Sequence, residues 1–153
     1  MRKLAPVRTV DPSVDLLTLE ECRDHLRRDD SDDDAKISLL IGAVTSHLDG
    51  ADGMLGRALL SQTWEEDMDG FPVGDRLMLA LSPVISISSI TYYDIDGDQQ
   101  AFAASNYRFH NRTNGAYVSL KQDSSWPQTD DRDDAVKVTH VAGYGAKIGR
   151  AHV

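Results

Sequence analysis

Cysteine is almost missing from this 153-residue chain: Cys22 stands alone, so no internal disulfide can staple the fold. Its scarcity points to a reducing compartment. Basic residues are few as well, with 16 Lys plus Arg against 25 Asp plus Glu and a formal net charge of −9. That balance argues against nucleic acid as the main partner, because phosphate recognition needs a clustered positive field. A long apolar run is also lacking. The longest uncharged stretch, Leu77 to Tyr93, is broken by Pro83 and carries Ser82, Ser86, Ser88 and Ser89. It falls short of the roughly 20 mostly apolar residues a membrane-spanning helix needs. The basic start, Met1-Arg2-Lys3-Leu4, runs into Arg8, Asp11, Pro12 and Asp15, which is not the apolar core of an export signal. No membrane partner is expected, and assembly in the cytoplasm is.

What remains is a globular composition, 41% hydrophobic and 27% charged, at a length that suits one domain. Residues 1–16, with Pro6 and Pro12 and no apolar period, read as a flexible arm. Thr18-Leu19-Glu20-Glu21 is a capping box opening a short helix, with Leu19, Cys22 and Leu26 on one face and an end near Arg28. The acidic run from Asp29 to Asp34 reads as a turn whose last carboxylates cap the next helix. In that second helix Ile37, Leu40, Ile41, Val44, Leu48, Ala51 and Leu55 make a broad apolar stripe that ends near Gly56.

Beyond Ser61 the period changes to two. Leu77, Leu79 and Leu81 alternate up to Pro83, and a second alternation runs from Ile85 to Tyr92 with a bulge at Ser88-Ser89. Asp96-Gly97 marks a turn, Tyr107–His110 a returning strand, and Asn114-Gly115 a hairpin into Ala116–Leu120. Ala135–Val141 is the last strand, closing at Gly143-Tyr144-Gly145. The expected class is α+β: two N-terminal helices packed on an antiparallel meander of about five or six strands.

Chemistry is sparse. Asp94-Ile95-Asp96-Gly97-Asp98 starts like a calcium loop, but its glycine is fourth instead of sixth and position twelve is Ser105. Histidines 25, 47, 110, 140 and 152 have no metal-type pairing, and zinc cysteines are lacking. No nucleophile elbow, phosphate loop or dinucleotide fingerprint occurs. Cys22, on the apolar helix face, reads as a small hydrophobe. Trp64, Phe71, Tyr92, Tyr93, Tyr107 and Trp126 read as packing between sheet and helix. No catalytic, metal or cofactor-binding residue is assigned, and no enzyme is expected. A small non-catalytic ligand-binding or protein-interaction module is the alternative reading. A metal-dependent hydrolase built on clusters such as Asp32 and Asp133 is a third.

The order of certain segments resembles the head–tail connector (adaptor) proteins of long-tailed double-stranded DNA phages and gene transfer agents. They are Leu17–Cys22 with His25-Leu26-Arg27, Asp34 to Ile41, Gly56 to Trp64, Pro83 to Ile87, Ile90 to Asp94, Trp126-Pro127, and Val138 to Gly145. The resemblance implies a structural virion protein of the neck, assembled in the bacterial host. It implies self-association into a ring of about twelve copies, with the portal protein on one side, a neck or tail-completion protein on the other, and DNA passing through unbound. That family continues past the last strand into C-terminal helices, whereas this chain ends Lys147-Ile148-Gly149-Arg150-Ala151-His152-Val153. Those seven residues are what the start of a common sequencing-library adapter can encode. Residues 17–146 are therefore expected to be one connector-like domain lacking the family's C-terminal helices, and 147–153 a non-native tail.

Overall fold

The computed structural model of the chain describes residues 1–28, 30–112 and 115–145. Two helices precede most of the strands: β1 (Val7–Val10), α1 (Leu19–Leu26), α2 (Asp34–Leu48), β2 (Gln62–Met68), β3 (Arg76–Met78), β4 (Val84–Tyr93), β5 (Gln99–Ala101), β6 (Tyr107–Arg112), β7 (Gly115–Leu120) and β8 (Val136–Ala142). The strands form a five-stranded sheet, β1-β2-β8-β4-β5, and a three-stranded one, β3-β7-β6, with every pairing antiparallel. The class is α+β, as the change of period indicates. The two sheets face each other across one core: Met68, Ile90, Val136 and Val138 from the larger, Leu77, Ala116 and Val118 from the smaller.

Several local expectations hold. Thr18 Oγ1 accepts from Glu21 N at 3.2 Å while Glu21 returns a carboxylate oxygen to Thr18 N at 3.0 Å, the reciprocal pairing of a capping box. The β4–β8 register shifts between Ile87 and Ser89, where the serine pair marks a bulge. Of the expected Asn114-Gly115 turn, Asn114 lies outside the described residues, as do Asp29 and the tail 147–153; the flanking strands pair Arg112 with Gly115.

Others are corrected. Residues 1–16 are not a free arm along their whole length: Val7–Val10 pairs with β2 at the sheet edge, and Leu4 N donates to Asp67 O at 2.9 Å. The cause is backbone pairing, to which an apolar period gives no clue. The second helix stops at Leu48, so Ala51 and Leu55 leave the stripe. Asp49 ends it, because its carboxylate accepts from Leu59 N (2.8 Å) and Gln62 Nε2 (2.9 Å), and Gly50 then turns at φ +90° against the Trp64 ring. The acidic run supplies no side-chain cap to α2; Asp34 pairs with Arg23 and Asp33 with Arg28 (3.3 Å), tying α2 to the end of α1. The aromatics Phe71, Tyr92, Tyr107 and Trp126 pack against the core between the sheets, not between sheet and helix; Phe71 stacks on Trp126 at 4.8 Å.

At its end β8 passes the 59–61 backbone closely. Gly143 N donates to Pro83 O (2.8 Å) and Tyr144 N to Leu59 O (3.0 Å). A Cβ on Gly143, at φ +131°, would stand 2.2 Å from Leu60 O and 2.4 Å from Leu60 C. Gly143→Ala is therefore expected to cost about 3 kcal/mol in urea unfolding, from strain plus displaced backbone. Gly42→Ala, on an open helix surface where nothing lies within 4 Å, should instead gain about 0.5–1 kcal/mol.

Candidate functional site

Two of the inward positions of β2 are polar, and each organises a buried group. Gln62, Trp64, Glu66 and Met68 all point inward from this strand. Gln62 and Asp49 form one cluster, in which Asp49 also accepts from Arg8 Nη1 at 3.0 Å, and Arg8 lies over the Trp64 ring at 5.7 Å. Asp49 is 9% exposed and its carboxylate accepts from Arg8, Leu59 N and Gln62, so it is a clamp joining β1, the end of α2 and the start of β2.

The second cluster is Glu66, His140 and Lys3. Glu66, 1% exposed, accepts from Ala80 N at 2.8 Å and from Leu81 N at 3.4 Å, and Lys3 Nζ stands 3.8 Å away while donating to Met78 O. His140 is fully buried, its Nε2 3.6 Å from Glu66, and among the described residues neither ring nitrogen meets a hydrogen-bond partner in good geometry. Burial pushes the Glu66 carboxyl above its ordinary value, against the opposing pull of the Ala80 amide and Lys3. Burial likewise lowers Lys3, with Glu66 raising it. Burial takes His140 from 6.5 down to about 4, with the nearby Val138 backbone pulling the other way and Lys3 adding to the shift. Glu66 and His140 are sealed between the sheets, with side chains 1% and 0% exposed, while Lys3 reaches them from the partly exposed edge. Nothing in a single sequence marks Glu66 or His140 as buried partners, since they lie 74 residues apart and meet only through the β2–β8 register, where Glu66 faces Val138 and Trp64 faces His140.

The remaining positions singled out from the sequence are dispersed. Among the described residues no group of three or more His, Cys, Asp or Glu could hold a metal ion. Asp94 is consumed by its own turn, accepting from Asp96 N, Asp98 N and Gln100 Nε2, which holds its carboxyl below the usual range. His110 stacks on Tyr117, and Asp32 and Asp133 are exposed on separate loops. Cys22 is half-buried and lines a trough of about 660 Å³ between α1 and α2 with Leu17, Leu26, Ile37, Leu40 and Val44. The helix stripe is only partly covered: Ile37 is buried and Ile41 and Leu48 are half-buried, while Leu40 and Val44 are 55% and 48% exposed, and Leu39, off the stripe, is 73% exposed. The trough is open and apolar, and converging polar groups of the kind a small-molecule site uses are lacking among its described residues.

Comparison with protein-family models gives no match, and comparison with curated proteins gives none either. Solved structures do match in fold. A chain in the virion of a native gene transfer agent (GTA) particle superimposes with a TM-score of 0.65 at 19% identity, over 94% of this chain and 74% of that one. A chain in the neck of an empty GTA particle, computed with C6 symmetry, gives 0.61 at 20% identity, over 91% and 73%. A chain in the neck of a native GTA particle, computed with C12 symmetry, gives 0.59 at 20%, over 91% and 71%. The fold is thus that of chains built into such particles.

The buried cluster sets a pH dependence whose sign is fixed. Between about pH 6.5 and about 4 the unfolded chain protonates this histidine and the native chain does not, so the His140 contribution to stability falls as pH drops. Glu66, raised in the native state, acts oppositely, weakening the fold as pH rises above the carboxylate's ordinary 4.5. Relative to the wild type, His140→Leu should therefore become more stable by about 3 kcal/mol on going from neutral pH to about pH 4, read by urea unfolding. An unchanged difference across that range would mean that His140 is charged or hydrated in the native protein.

Proposed function

We propose that this chain is a structural virion component, a head–tail connector that closes into a ring in the neck of a phage-like particle. The observation that carries the reading is the fold likeness over at least 91% of the chain to chains of GTA particles, two of them in necks. The interior supports a structural role over an enzymatic one. Glu66 and His140 are sealed, with side chains 1% and 0% exposed, and among the described residues no group of three or more His, Cys, Asp or Glu could hold a metal ion. Such a ring would lie between the portal protein and a neck or tail-completion protein, with the packaged DNA passing through its opening. A formal charge of −9 suits a passage to which DNA must not adhere, because carboxylates repel phosphates.

The test is genetic and visual. Deleting the gene from a strain that produces the particles should leave DNA-filled heads without tails in electron micrographs, and supplying it in trans should restore joined particles. Labelled protein should then be found at the head–tail junction in multiple copies. Normally tailed particles from the deletion strain, or label confined to the tail tip or capsid shell, would overturn the reading.

A further inference from the structure

Charge in this chain is sorted between faces in a way the net value conceals. The three-stranded sheet turns Leu77, Ala116 and Val118 into the core. Pleating puts their neighbours on the opposite face. These are Arg76 and Met78 from β3, Tyr117 and Ser119 from β7, and Arg108, His110 and Arg112 from β6. Register places Arg76 and Arg108 on either side of Ser119, and Met78 and His110 on either side of Tyr117. The Tyr117 ring stacks on His110 at 4.7 Å and takes the Arg76 guanidinium from the other strand at 5.3 Å; His110 Nε2 is 2.9 Å from Ser119 Oγ. Arg108 and Arg112 are exposed and have no ion-pair partner among the described residues, and Arg76 meets only the exposed Asp75 at 4.0 Å. No carboxylate stands on this face among the described residues of its three strands.

The complementary charge lies elsewhere on the same molecule. The β4–β5 turn carries Asp96 and Asp98, and the segment before β8 carries Asp130, Asp131 and Asp133. Asp130 N donates to Tyr93 O at 3.0 Å, and Asp130 Oδ2 lies 4.0 Å from where a Cβ on Gly97 would stand, so turn and segment form one acidic corner. Arg132 is committed to Asp134 and stacked on Tyr93, and Arg2 reaches Asp133 at 3.7 Å, which leaves Asp96, Asp98 and Asp131 without an ion-pair partner among the described residues.

We propose that the Arg76–Arg108–Arg112 face docks the acidic corner of a second copy of this chain, head to tail. Each copy carries both surfaces and they are different patches, so the contact is heterologous and repeats from copy to copy, closing a ring if the rotation allows. Copies with a net charge of −9 repel one another, and this face supplies local attraction within the Debye length of about 8 Å at physiological salt. Nucleic acid is the competing occupant, and two features disfavour it. Affinity for a phosphate backbone grows with the number of phosphates neutralised, and three arginines on a chain of net charge −9 offer few. The Tyr117 ring is flanked by Arg76 and His110 and offers no open platform for a base. The inference deepens the ring reading above and rests on it.

Light scattering of the full chain tests it, because none of the substituted side chains is buried. The wild type should self-associate at about 50 mM salt and weaken by about tenfold or more at about 500 mM. Arg108→Glu with Arg112→Glu, and separately Asp96→Lys with Asp131→Lys, should each abolish association while circular dichroism and melting stay unchanged. Mixing the two variants should restore it, since each then offers the surface that the other lost. The proposal is overturned if the arginine variant associates like the wild type, if the mixture stays monomeric, or if a 30-base-pair duplex, about three helical turns, binds the wild type through these arginines while self-association ignores them. A wild type monomeric at low salt also overturns it, yet leaves the neck reading standing if label still sits at the head–tail junction.

Discussion

The fold depends on a strand that arrives last and sits in the middle. β8 is eighth in the chain, yet it pairs with β2 on one side and β4 on the other, and its inward residues Val136, Val138, His140 and Ala142 are all fully buried. Until it is placed, β1-β2 and β4-β5 are two separate hairpin-like pieces with unsatisfied edges. The sheet therefore has to close loops of roughly 40–70 residues before its central pairing rewards it, the kind of non-local topology that folds slowly. The same strand carries Gly143 past the 59–61 backbone and holds His140 beside Glu66. One element thus sets both the packing and the polar interior.

That interior explains why the N-terminal residues join the sheet. Glu66 is buried with only backbone amides and Lys3 to offset its charge, and Asp49 is buried with Arg8 among its donors. Removing either cation would leave a carboxylate in low dielectric without its counter-charge, a costly state. β1 is short, exposed along its length, and weakly apolar. Its attachment is better attributed to Arg8 within it and Lys3 before it reaching buried carboxylates, plus the edge hydrogen bonds, than to apolar burial.

How much of this was legible follows from the same physics. The capping box at Thr18, the β4 bulge and the strands β7 and β8 obey local rules and were readable. β2 was not, because two of its four inward residues are Gln62 and Glu66, so alternation by hydrophobicity is absent exactly where the polar clusters are built. α2 was read too long, since Ala51 and Leu55 continue the apolar period by chance while Asp49 and Gly50 end the helix through contacts made ten or more residues away. The stripe itself was visible, but a sequence cannot say whether a stripe is covered, and here Leu40 and Val44 are not. No catalytic residue was expected, and the buried Glu66–His140 pair, found only through register, is sealed and gives no ground for assigning one.

Net charge was the least faithful guide to surfaces. A value of −9 averages over the whole molecule, but screening confines each interface to the charges within about one Debye length of it. Antiparallel pairing with a two-residue pleat sorts side chains by parity, and on β3, β7 and β6 parity places Arg76, Arg108 and Arg112 outward together. The acids concentrate instead in turns, where aspartate closes its own backbone, as Asp94 does. Strand parity and turn chemistry are independent rules, and between them they separate the two signs of charge onto different parts of one molecule. An acidic chain built this way can repel a polyanion at a distance and still bind its own kind at contact.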